Sequence, residues 1–100
     1  MKSAEEWIHH CETRAAEAAR LAIECGLDEA AITAVTKSTF FDSLPPCAGG
    51  TIKFFVACVA HGALVRLVEA QEAKTMLYAA QVALQANNAA KRRPTNGGRK

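Results

Sequence analysis

Apolar positions along this chain recur at alternating steps of three and four and nowhere alternate in twos, which is the pattern of helices. Ile8, Cys11, Ala15, Ala18, Ala22 and Cys25 form the first such seam. Ser3 followed by Glu6 has the form of a capping box: the serine oxygen accepts from an early amide while the glutamate reaches back to the Ser3 amide. A first helix is therefore expected from Ser3 to about Cys25, with Gly26 supplying the left-handed residue that ends it. Asp28 can cap a second helix, about Asp28 to Lys37, with Ala31, Ile32 and Val35 as its apolar face. Thr33, Thr36, Ser38 and Thr39 weaken that helix. Phe40-Phe41 and the stretch Leu44-Pro45-Pro46-Cys47-Ala48-Gly49-Gly50 read as an irregular connection.

Thr51 can cap a third helix, and no proline interrupts the chain from there to Asn87-Asn88. Unbroken, that helix would extend ~54 Å, against ~33 Å for a compact globule of this size. Gly62 and the polar stretch Gln71 to Thr75 are the candidate breaks. Val56, Val59, Ala63, Ala70, Ala73, Leu77, Ala80 and Leu84 keep a three-four spacing through both, which favours continuity and hence a homodimer built on the overhanging helix. The expectation is an all-α fold of two or three helices in an antiparallel arrangement with a long C-terminal helix. Residues 1–90 form one helical domain and residues 91–100 a disordered basic tail.

Composition sharpens this in two ways. Half the residues are hydrophobic, but 21 of those are alanine, so the seams are slender and helices can approach to about 8 Å. The net charge of +2 hides an asymmetry: Lys91, Arg92, Arg93, Arg99 and Lys100 give the last ten residues +5, leaving −3 on the rest. The tail can meet nucleic acid phosphates in a salt-dependent, sequence-blind way, or simply aid solubility. The opening residues lack the apolar stretch of a secretory signal. The longest apolar run, Phe54 to Val65, falls short of the ~20 residues that span a bilayer. A cytoplasmic location without membrane contact is expected, with Cys11, Cys25, Cys47 and Cys58 reduced.

Catalytic and metal chemistry find little support. Cys58 and His61 share a helix face and resemble part of a zinc site or a nucleophilic dyad, and Cys47 lies in a loop. Nothing nearby supplies the further ligands, a third orienting group or an oxyanion hole, so buried cysteine packing is the simpler reading. No catalytic residue, metal or cofactor is assigned. Residues 19–37 offer an alternative, because Ala22, Gly26, Leu27, Ile32 and Val35 have the spacing of a helix-turn-helix DNA-binding unit. Its second helix would open with Asp28 and Glu29 and carry Lys37 as its sole cation, which suits a phosphate backbone poorly.

The large rings cluster at Trp7, Phe40, Phe41, Phe54 and Phe55. Either Phe40-Phe41 folds over the third helix as core, or part of the cluster is a binding surface. Cys47-x-Gly49-Gly50, with Ile52-Lys53-Phe54 and Ala57-Cys58-Val59 opening a long helix, resembles the TraM-type quorum-sensing antiactivators. That resemblance implies a small all-helical protein that disables a LuxR-type transcription factor by binding it. The residues and the resemblance converge on a non-catalytic helical regulator or adaptor that binds a protein partner. Phe40, Phe41, Phe54 and Phe55 are the expected apolar anchors, and Lys91, Arg92, Arg93, Arg99 and Lys100 give weak electrostatic help.

Overall fold

The computed structural model describes the backbone of residues 2–98 and the side chains of residues 2–89. Four α-helices follow in order: α1 (Ala4–Glu24), α2 (Glu29–Asp42), α3 (Ile52–Leu64) and α4 (Ala70–Gly98), with a single 3-10 turn at Gly49–Thr51 before α3. Among the described residues there is no strand.

The first corner forms as its sequence predicts. Ser3 Oγ accepts from the Glu6 amide at 3.1 Å while the Ser3 amide donates to Glu6 Oε1 at 3.3 Å, closing the capping box of α1. Gly26 takes φ +80°, with the Leu27 amide bonded to Ala22 O and its own amide to Ile23 O. These are the two bonds of a Schellman motif. Asp28 Oδ1 then accepts from the Ala31 amide at 2.9 Å and caps α2.

α2 runs past its predicted end at Lys37 to Asp42, so Phe40 and Phe41 are helical rather than part of the connection. Two of the hydroxyls that weaken it bond within the helix: Thr36 Oγ1 donates to Ile32 O and Thr39 Oγ1 to Val35 O. Phe40 is only 1% exposed. Burying that ring is worth roughly 2–3 kcal/mol, more than a few residues of indifferent helix propensity cost.

The expected continuous third helix is broken, and at neither predicted place. α3 ends at Leu64 and α4 begins at Ala70. The break is a second Schellman motif whose left-handed residue is Arg66, at φ +66°. The Leu67 amide bonds to Gly62 O at 2.8 Å and the Arg66 amide to Ala63 O at 3.2 Å. Gly62 stays helical; its role is close approach, described below. Thr51 does not cap α3 either, since its hydroxyl donates to Pro46 O and Ala48 O.

α1 packs against α2 and α3, and α3 against α4. The core gathers Cys11 and Ala15 from α1, Phe40 from α2, Ile52, Phe55, Cys58 and Val59 from α3, Val68 from the turn, and Ala73 and Ala80 from α4. Val59, Ala73 and Ala80, part of the spacing that favoured one continuous helix, are covered within the chain, and the dimer argument drawn from continuity falls. Length still tells: the molecule measures 66 × 27 × 19 Å with a radius of gyration of 17.1 Å, against about 13 Å for a compact chain of this size. Of the expected disordered tail, residues 91–98 continue the backbone of α4 with side chains outside the described set, and Arg99 and Lys100 lie outside the described residues.

Candidate functional site

Because α2 packs on α1 while α4 packs on α3, α2 and α4 flank a groove instead of packing on each other. Its bridge is an ion pair, Lys37 Nζ to Glu72 Oε1 at 2.8 Å. On one side lies a pocket of about 240 Å³ lined by Ile32, Thr33, Thr36, Lys37, Arg66, Leu67 and Glu69. On the other lies a shallower, strongly apolar depression of about 420 Å³ lined by Phe41, Gln71, Glu72, Thr75 and Met76.

Helix periodicity explains why these residues meet. Ile32, Thr36, Lys37 and Phe41 sit at steps of four, one and four along one side of α2, and Glu72, Thr75 and Met76 at steps of three and one along α4. Lys37 Nζ also lies 5.9 Å from the centroid of the Phe41 ring, so the cation is held both by a carboxylate and by an aromatic face. The hydrogen bond to Lys37 is the main cause that holds the Glu72 carboxyl below its ordinary range, and the same bond raises Lys37. The pair is a polar bar between the apolar depression and a pocket that mixes aliphatic, hydroxyl and charged groups. It can recognise an apolar helix that carries a polar group at one position, but it provides no nucleophile.

Two of the four expected anchors are not on the surface. Phe40 and Phe55 are core residues at 1% and 9% exposure, because α2 turns Phe40 onto Gly62 and α3 turns Phe55 inward. Neither can touch a partner of the folded chain, and both are withdrawn as binding residues. Phe41 and Phe54 remain half-buried. Phe41 lines the groove, whereas Phe54 lies elsewhere, under Lys53 Nζ at 5.1 Å. The structure thus brings Phe41 together with Met76, a pairing the sequence reading missed. The missing signal was the turn at Arg66, without which Met76 would lie about 18 Å beyond the end of α3.

Large aliphatic side chains also stand uncovered at two turns: Leu21, Ile23 and Leu27 at the α1–α2 corner, Leu64 and Val65 at the α3–α4 turn. Leu21 and Ile23 lie off the small-residue seam of α1, and that displacement was the readable sign of their exposure.

Cys58 and His61, which share a face of α3, meet different neighbours. Cys58 is fully buried beside Cys11, with burial the main cause raising both thiols and Cys11 pushed up to about 12. His61 turns instead to α1, where its Nε2 lies 2.5 Å from Glu12 Oε2. Among the described residues no group of three or more His, Cys, Asp or Glu side chains is placed to hold a metal ion. In the helix-turn-helix alternative, Lys37 is engaged by Glu72, and α2 packs against α1, with the Cys11 thiol donating to Ser43 O at 3.4 Å just past the end of α2. Of the basic residues, Lys91, Arg92 and Arg93 have side chains outside the described set, and Arg99 and Lys100 lie outside it altogether.

Among the described residues no helix is long and apolar enough to cross a membrane. Compared with protein-family models, with curated proteins and with solved structures, the chain matches none.

Proposed function

We propose that this all-helical chain is a non-catalytic cytoplasmic regulator that works by holding a helix of another protein in the α2–α4 groove. The observation that carries the reading is the apolar trough of Phe41 and Met76 left open between two helices that do not pack on one another. A phenylalanine beside a methionine offers an apolar surface that can adapt to a partner's side chains. The resemblance of the Cys47–Val59 segment to TraM-type antiactivators makes a transcription factor the most concrete partner, with the groove masking a helix the factor needs. The basic tail adds electrostatic attraction to the partner or to nearby nucleic acid.

Pairing with a second copy belongs to the same proposal. α4 spans 29 residues and α3 only 13, so α4 outreaches the helix it packs on by roughly 24 Å. Its last buried position among the described residues is Ala80, and Tyr78, Val82 and Leu84 are exposed around it. An antiparallel packing of two α4 helices would cover them.

The groove is tested by affinity capture from the native host with wild type, Phe41→Asp and Met76→Asp, each checked for helical content by circular dichroism. Both variants should fold and lose the partner that wild type retains after nuclease treatment. A partner retained by both, or one lost on nuclease treatment, overturns the reading. Sedimentation equilibrium at micromolar concentration tests the second copy, and a monomer mass removes it.

A further inference from the structure

Two cysteines far apart in the sequence meet in the core. Cys11 on α1 and Cys58 on α3 are each 0% exposed and belong to one buried cluster, on two helices that pack together. Their register is fixed independently by the next residue on α1: Glu12 bonds His61, one turn beyond Cys58 on α3. The surrounding seam is small, with Ala15 buried a turn away. Small seam residues let packed helices approach at the low end of the usual range, which is the closeness that a disulfide between facing positions requires.

We infer that Cys11 and Cys58 are a disulfide-forming pair, a covalent modification site that staples α1 to α3 when the protein meets an oxidised low-molecular-weight disulfide. The chemistry balances without further reagents. One cysteine thiolate attacks a sulfur of the small disulfide and releases one small thiolate, leaving a mixed disulfide. The second cysteine thiolate attacks the protein sulfur, forms the Cys11–Cys58 bond and releases the second small thiolate. The two cysteines are oxidised, the small disulfide is reduced to two thiols, and those take up the two protons. In the closed fold both thiols are buried and stay protonated, so exchange proceeds when α1 opens from α3 or while the chain folds. The bond encloses a long loop, which is where a cross-link restricts the unfolded chain most.

Cys25 and Cys47 bear on the test, since Cys25 is exposed and Cys47 partly so. The full chain is equilibrated in oxidised glutathione buffer by two routes, as folded protein and by refolding from urea, then alkylated and mapped by peptide mass. The Cys25→Ser/Cys47→Ser chain is carried through in parallel. The expected result is one linked peptide pair joining Cys11 to Cys58 by both routes, formed more slowly from the folded protein. The melting temperature should rise by about 10 °C or more, and the rise should vanish on reduction. Alkylatable Cys11 and Cys58 after oxidative refolding, or glutathione adducts in place of the linked pair, overturn the inference. Wild-type mapping decides the matter if the double variant fails to fold.

Discussion

Gly62→Ala isolates the contact that positions α3 against its neighbours. A Cβ at Gly62 would lie 2.7 Å from Val68 Cγ2 and 2.9 Å from Cε2 and Cζ of Phe40. Carbon atoms settle at about 3.5–4.0 Å, so three atoms must each move by roughly 1 Å. Neither neighbour has room, because Phe40 is 1% and Val68 2% exposed. Overpacking of this kind costs about 1–3 kcal/mol, while alanine in place of glycine inside a helix returns about 1 kcal/mol. The expected net effect is a loss of about 1 kcal/mol, or about 4–8 °C in melting temperature for a domain of this size. Urea titration followed at 222 nm measures it as a lower midpoint at unchanged slope. A double-mutant cycle with Val68→Ala localises the cause: removing Cγ2 should relieve the clash, making the double variant more stable than the sum of the single effects by at least about 0.5 kcal/mol. A gain of about 1 kcal/mol for Gly62→Ala, with no coupling to Val68, would refute this packing of α3.

Arg66→Gly should stabilise the chain by about 0.5–1 kcal/mol, since a side chain at left-handed φ costs about 1–2 kcal/mol and glycine gives part of that back in unfolded-state entropy; a urea midpoint reads the change. Glu72 is held below its ordinary 4.5 and Lys37 above its ordinary 10.5. Their contribution to stability should therefore be full between those values, fade as pH falls through the lowered carboxylate pKa, and fade again as pH rises through the raised ammonium pKa. Glu72→Gln should remove that share of both slopes in a stability-against-pH series. A thiol reagent at pH 8 should modify Cys25 at once and leave Cys11 and Cys58 unmodified until urea unfolds the reduced chain; rapid modification of all four would contradict the burial of the pair.

Local signals in the sequence were enough for α1 and its corner, because a capping box, a glycine and an aspartate at fixed offsets satisfy the helix ends without help from elsewhere. The end of α2 was not legible. Its extension to Asp42 depends on burying Phe40 against α3 and the turn, a tertiary gain that propensity does not register. The α3–α4 break was hidden for a different reason: its left-handed residue is an arginine, so the glycine that normally marks such a turn is absent, and the one nearby glycine serves close packing instead. The three-four spacing from Val56 to Leu84 is real but serves two helices folded on each other. Of the candidate site, Phe41 was readable as a large ring outside the alanine seams. Met76 and the pairing of Cys11 with Cys58 were not, since each depends on which helices become neighbours.

The turn at Arg66 therefore carries more of the functional argument than any side chain in the groove. An uninterrupted helix would carry Met76 and Glu72 away from α2, leaving Lys37 without its carboxylate and Phe41 on an open surface. The break returns α4 beside α3, where Glu72 reaches Lys37 and Met76 joins Phe41 as one apolar floor. The return also covers Val59, Ala73 and Ala80, the residues an unbroken rod would have offered to a partner. One left-handed residue thus moves the exposed apolar surface from a continuous flank to a groove between α2 and α4 and to the stretch of α4 past Ala80. If the groove is the working surface, substitutions that shift the angle of this turn should weaken partner binding even though Arg66 is the only residue changed and the floor residues keep their identity. Arg66→Gly, which keeps the left-handed geometry, should bind as wild type does.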